Sequence, residues 1–157
     1  MTIANSLILT AVLLLLTNQE GRTYLPNPKL TPGDVFEVSR AEICNDERSL
    51  PEVSVAIKRQ VFDRYGMSPQ SLGYNVDHLI PVALGGSNSI KNLWPQPLAG
   101  EWNYQMKNKL EGKMKKLVCA GTLSLEQAQK EISEDWVAAY KKYVGTGVRS
   151  QGSGARE

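Results

Sequence analysis

The segment from Tyr74 to Trp94 constrains this chain more than any other. Residues 74 to 84 are mostly β-branched and aliphatic, with Asp77 and His78 in the middle and Pro81 after them. Such a run favours extended backbone, and the proline restricts it to an edge strand or a kinked hairpin arm. Gly85, Gly86, Ser87 and Asn88 form a loop whose glycines permit a tight turn, and Asn92 to Trp94 begins a short second strand. A helix is predicted from about Glu101 to Val118, with Trp102, Met106, Leu110, Met114 and Leu117 on one face, until Gly121 breaks it. Two strands and a helix in that order make a small α+β unit.

The flanking segments extend this unit. Ser49 and Pro51 mark a helix start as cap and first-turn residue, and Val53, Ile57, Val61 and Tyr65 recur at helical spacing until Gly66. Ser124 and Gln127 form a capping box, followed by Leu125, Ala128, Ile132, Trp136, Ala139 and Tyr143 as an amphipathic helix. Residues 21–38, rich in proline and glycine, read as a linker or extended arm. Residues 145–157 carry Gly, Ser and Arg without apolar period and read as a disordered tail. A single folded domain over 39–144 results, and the chain contains no internal repeat.

The ten residues Leu7–Leu16 contain one hydroxyl and no charge. That is short of the ~20 needed to span a bilayer and suits the core of an export signal. Residues 1–20 therefore read as a signal peptide, with a buried helix or a retained anchor as alternatives. Export implies a periplasmic or secreted protein with no stable membrane span after cleavage. Cys44 and Cys119 are too far apart for a Cys-x-x-Cys redox pair. In an oxidising compartment they form one long-range disulfide; the alternative is two separately buried thiols.

The net charge of +2 does not announce a nucleic-acid binder, but its distribution is uneven. Lys107, Lys109, Lys113, Lys115 and Lys116 face only Glu111 over one short stretch, which suits a polyanion or a solvated helix face. His78 is the only histidine, which excludes His-rich zinc sites and paired-histidine chemistry. The adjacent Asp77 carboxylate can hold a hard cation such as Mg²⁺, while a neutral imidazole can take a proton from water. Together these are the requirements of one-metal phosphodiester hydrolysis.

Taken with Gly85-Gly86-Ser87-Asn88, Asn92-Leu93 and the Asn103-x-x-x-Lys107 helix start, the Asp77-His78 segment resembles the HNH (His-Me finger) endonucleases. It is most similar to small exported HNH-like proteins, across roughly residues 40 to 144. The resemblance implies an α+β fold with a ββα-metal core and additional N- and C-terminal helices. It implies a metal-dependent endonuclease hydrolysing nucleic acid, DNA by expectation, with a divalent ion, Mg²⁺ or Mn²⁺. His78 is then the base and Asp77 a metal ligand. Asn92 holds the histidine or its loop, or reaches the metal. Asn103 is the helix's metal ligand, and Lys107, Lys109 and Lys113 contact phosphates.

The helix departs from the family pattern. Relatives often read Lys-Asp-x-Leu-Glu-Asn-x-Leu-His where this chain has Lys107, Asn108, Lys109, Leu110, Glu111, Gly112, Lys113, Met114 and Lys115. Two other functions stand beside the nuclease, the first of them motivated by that departure. One is a nucleic-acid-binding module that keeps the fold without catalysis. The other is an exported structural or partner-binding protein in which the Asp-His pair is incidental.

Overall fold

The computed structural model describes residues 24–45 and 49–145. The expected signal peptide and nearly all of the expected tail lie outside the described residues. Within them the chain is a mixed α+β structure. Its elements are α1 (Arg40–Cys44), α2 (Val55–Arg64), β1 (Tyr74–His78), a 3₁₀ turn (Val82–Leu84), β2 (Leu93–Pro97), α3 (Tyr104–Cys119) and α4 (Leu125–Tyr143). No helix among the described residues is long and apolar enough to cross a membrane.

The two strands pair antiparallel, with Tyr74 opposite Pro97 and His78 opposite Leu93. Pro95 and Pro97 sit in β2 without penalty because both strands of a two-stranded sheet are edges. β1 stops at His78, short of the run to Leu84 that composition suggests. Beyond it, the 3₁₀ turn ends on Gly85 in the left-handed region at φ 85°. Gly86 has a different reason to be glycine: a Cβ there would lie 1.8 Å from the Ile80 carbonyl oxygen. This turn brings residues 85–92 back beside the end of β1.

A helix covers each side of the hairpin. Val61 and Phe62 of α2 pack with Val76 and Leu93. The larger core lies between α3 and α4, where Leu110, Met114 and Val118 meet Ala128, Ile132, Trp136 and Tyr140. Ile80 and Leu84 enter that same core and so fasten the segment after His78 to the helix pair.

Several local expectations change. Helix α2 starts at Ser54, whose hydroxyl accepts from the Ile57 amide, and not at Ser49. Helix α1 was not expected, although Ser39 and Glu42 form a reciprocal capping box. Helix α3 begins at Tyr104, not Glu101. Helix α4 is broken at Asp135, whose extended backbone lets its carboxylate cap Val137 and Ala138.

From Tyr24 on, the expected linker is an arm packed on the domain. The Tyr24 carbonyl accepts from Trp136 Nε1 at 2.9 Å. Thr31, 1 % exposed, donates to the Leu93 carbonyl. Val35 bridges to Gly86, and Asp34 accepts from both the Ser87 amide and its hydroxyl.

Cys44 and Cys119 form a disulfide that joins the C-terminal ends of α1 and α3 across 75 residues. Constraining a loop of that length in the unfolded chain is worth up to about 4 kcal/mol. The double variant Cys44→Ser/Cys119→Ser is expected to lose about 3 kcal/mol in urea unfolding. The oxidised protein should show no titratable thiol under denaturation, and two titrating thiols would refute the pairing.

Candidate functional site

The end of β1 carries the two residues on which the sequence argument turns, and alternation along the strand sends them to opposite sides. On one side, half-buried His78 places Nε2 2.7 Å from Asn88 Oδ1. The Asn88 amide cannot be reversed, because its Nδ2 donates to the Pro51 carbonyl at 2.8 Å. Oδ1 can only accept, so Nε2 carries the ring proton and the lone pair of the neutral imidazole lies on Nδ1. The ring is thereby fixed in one tautomer.

Asn92 has no solvent exposure. Its Oδ1 accepts from the Ile80 amide at 2.9 Å, and its Nδ2 donates to the carbonyls of Ile80 and Ser87 at 2.9 and 3.0 Å. The Leu79 amide donates to the Asn92 carbonyl at 2.7 Å. Asn92 therefore locks the loop that presents Asn88. Its side-chain hydrogen bonds go to loop backbone, and His78 is held by Asn88 instead.

On the other side of β1, Asp77 meets α3. Lys107 projects from the inward row of that helix with Leu110, Met114 and Val118, and is itself 0 % exposed. Its Nζ donates to Asp77 Oδ2 at 3.1 Å, to the His78 carbonyl at 2.5 Å and to Glu111 Oε1. All three ammonium protons are thus used.

Burial by itself pulls the Lys107 pKa down, but Glu111 and Asp77 outweigh it and hold the group above its ordinary 10.5. Glu111 moves in a less expected direction. Burial raises its carboxyl above the usual range, Lys107 opposes this, and Asp77 adds to it. The direction fits two carboxylates sharing one ammonium.

The other expected site residues fall elsewhere. Asn103 is the N-cap of α3: its Oδ1 accepts from the Gln105 and Met106 amides, and its Nδ2 donates to Gly100. A helix cap is what an asparagine at this position does most readily, and the oxygen proposed for metal is spent on it. Lys107, expected at phosphate, is buried and fully bonded, because it lies on the apolar row. Lys109 and Lys113 are exposed. At about 100° per residue they face away from Lys107, and so away from Asp77.

A divalent ion does not fit this donor set. Asp77 and Glu111 already share an ammonium, and Asn103 is committed to the helix end. No group of three or more His, Cys, Asp and Glu residues that could hold a metal occurs among the described residues.

Comparison with known protein families, curated proteins and solved structures found no match. Two residues of the site escaped sequence reasoning. Asn88 stood in the quoted loop but was given no partner. Glu111 lies four residues after Lys107, the spacing at which helical ion pairs form, and that signal was available.

Removing Lys107 leaves two carboxylates without their counter-charge, so Lys107→Met should cost about 3 kcal/mol in urea unfolding. Asn92→Ala should cost about 3 kcal/mol through its unpaired backbone partners, and Asn88→Ala less than about 1 kcal/mol. A raised folded-state pKa means the Lys107 contribution is present below 10.5 and is lost as pH climbs through the still higher folded value. The stability difference between wild type and Lys107→Met should therefore shrink in strong alkali, and it should also shrink in acid as Asp77 and Glu111 lose the charge that Lys107 answers. A difference that stays constant there would rule out a charge-based role.

Proposed function

We propose that this domain is a nucleic-acid phosphodiesterase of the HNH (His-Me finger) kind, acting outside the cytoplasm, with His78 as general base. The observation that carries this reading is the fixed His78 ring, held at Nε2 by an amide that Pro51 orients, with Nδ1 left for water. A water giving its proton to Nδ1 forms the new bond to phosphorus as the bond to the departing sugar oxygen breaks. That oxygen takes up a proton from solvent.

The order β1, glycine turn, β2, α3 supports a ββα arrangement, with Asp77 of the strand bonded to the helix through Lys107. The disulfide supports export, since such bonds persist in oxidising compartments. DNA is the expected substrate; Lys109 and Lys113, exposed on the face of α3 turned away from Asp77, are left for phosphates remote from it. The Mg²⁺ or Mn²⁺ that the resemblance implies is a condition to vary, because the donors it would need are engaged.

One observation favours a second reading. Asp77 and Glu111 are taken by Lys107 and Asn103 by the helix cap, so the donors that family catalysis would give to a metal are engaged, which suits a domain that binds nucleic acid without cutting it.

Nicking of supercoiled plasmid separates the two, run with Mg²⁺, with Mn²⁺ and with EDTA. Wild type should nick, His78→Ala should not, and Asn88→Ala should be slower by about a hundredfold while staying folded. Salt-sensitive plasmid retention without nicking in any arm would move the conclusion to the binding module. Neither nicking nor retention would leave the partner-binding protein.

A further inference from the structure

Among the described residues, Lys107 is the only charged side chain with no solvent exposure. It does not merely pair with a neighbour along its own helix. Its Nζ gathers a carboxylate and a carbonyl from β1 and a carboxylate from α3, all oxygens, around one positive centre. An oxygen-only shell drawn from strand and helix is what a hard divalent ion requires.

We propose that Lys107 is the resident cation of this oxygen shell, its ammonium taking the place that a divalent ion would hold against Asp77, so that the domain binds no Mg²⁺ or Mn²⁺ there. The part of this that concerns catalysis, that hydrolysis proceeds without a divalent ion, rests on the nuclease reading.

Three features support the substitution. The contacts to Asp77 and to the His78 carbonyl are 3.1 and 2.5 Å, hydrogen-bond lengths, whereas Mg²⁺ holds its oxygens at about 2.1 Å. The ammonium cannot swing aside to admit an ion, because its stem runs in the same buried row as Leu110 and Met114. One positive charge between two carboxylates leaves a single negative charge, and a divalent ion beside it would meet the ammonium as a like charge.

The arrangement also gives Lys107 a positioning role. It grips the carbonyl of the residue whose imidazole faces Asn88, so the cation that neutralises Asp77 also fixes the backbone of the base.

The test is a titration of the full, disulfide-bonded chain with Mn²⁺ near neutral pH. Binding is read from loss of the free-ion electron paramagnetic resonance signal and, separately, from the melting temperature. Wild type should leave the signal and the melting temperature unchanged up to millimolar Mn²⁺. Lys107→Ala, which vacates the oxygen shell, should bind Mn²⁺ about tenfold or more tightly than wild type and should melt higher as Mn²⁺ is added. Asp77→Asn in the Lys107→Ala background should abolish both effects.

Wild type that binds Mn²⁺ and loses the binding on Asp77→Asn overturns the inference. So does a folded Lys107→Ala that takes up no Mn²⁺, since the shell would then be no cation site. If Lys107→Ala fails to fold, Lys107→Gln replaces it, and if that fails too the wild-type titration decides alone.

The plasmid assay keeps this inference apart from the nuclease reading. Cleavage that persists in EDTA supports both. Absence of cleavage with the expected Mn²⁺ behaviour removes the nuclease reading only. Metal-dependent cleavage with Mn²⁺ bound at Asp77 removes the inference only.

Discussion

An ammonium shut away from water must find an oxygen for each of its protons, and around Lys107 that requirement joins the strand to the helix. Asp77 and the His78 carbonyl come from β1, and Glu111 comes from the same helix as the lysine. Desolvating three charges is costly, and their mutual attraction repays it only where the geometry satisfies every proton. The register between the end of β1 and the first turns of α3 is therefore set by a polar contact, while Leu110, Met114 and Val118 supply the apolar burial behind it.

The other side of β1 is organised by amides. Asn92 fills the space between the end of the strand and the returning loop with hydrogen bonds to four backbone groups, one of them the Asp34 amide of the arm. Gly86 lets that loop approach the Ile80 carbonyl more closely than any side chain would allow. The arm then closes over the loop through Asp34, Val35 and Phe36. Asn88, at the top of this braced loop, is held in turn by Pro51 and so presents one atom to His78. The imidazole is oriented by a chain of contacts that starts in a buried asparagine and passes through no metal ligand.

These two halves give the end of β1 its character. An imidazole of defined tautomer lies on one side of the strand, and on the other a carboxylate whose charge is answered from within the protein. The position of Lys107 fixes where the answering charge lies: under the strand, shut away from solvent.

Much of this was legible in the residues. Apolar spacing located the three long helices, glycine and proline placed the turn between the strands, and the two cysteines admitted the bond that they form. Boundaries were less clear. Both Ser49 and Ser54 can cap a helix, and the structure uses Ser54, whose hydroxyl accepts from the Ile57 amide. The roles of the polar residues were decided by tertiary structure alone. An asparagine caps, bridges or ligates with the same atoms, so Asn88, Asn92 and Asn103 are distinguished only by what lies within 3 Å of each. Lys107 shows the limit most sharply. It stands in a lysine-rich stretch, which marks it as surface, yet it shares the buried row of its helix. A charged side chain can enter a core only where other elements bring oxygens to meet it, and where those elements come together is a property of the fold.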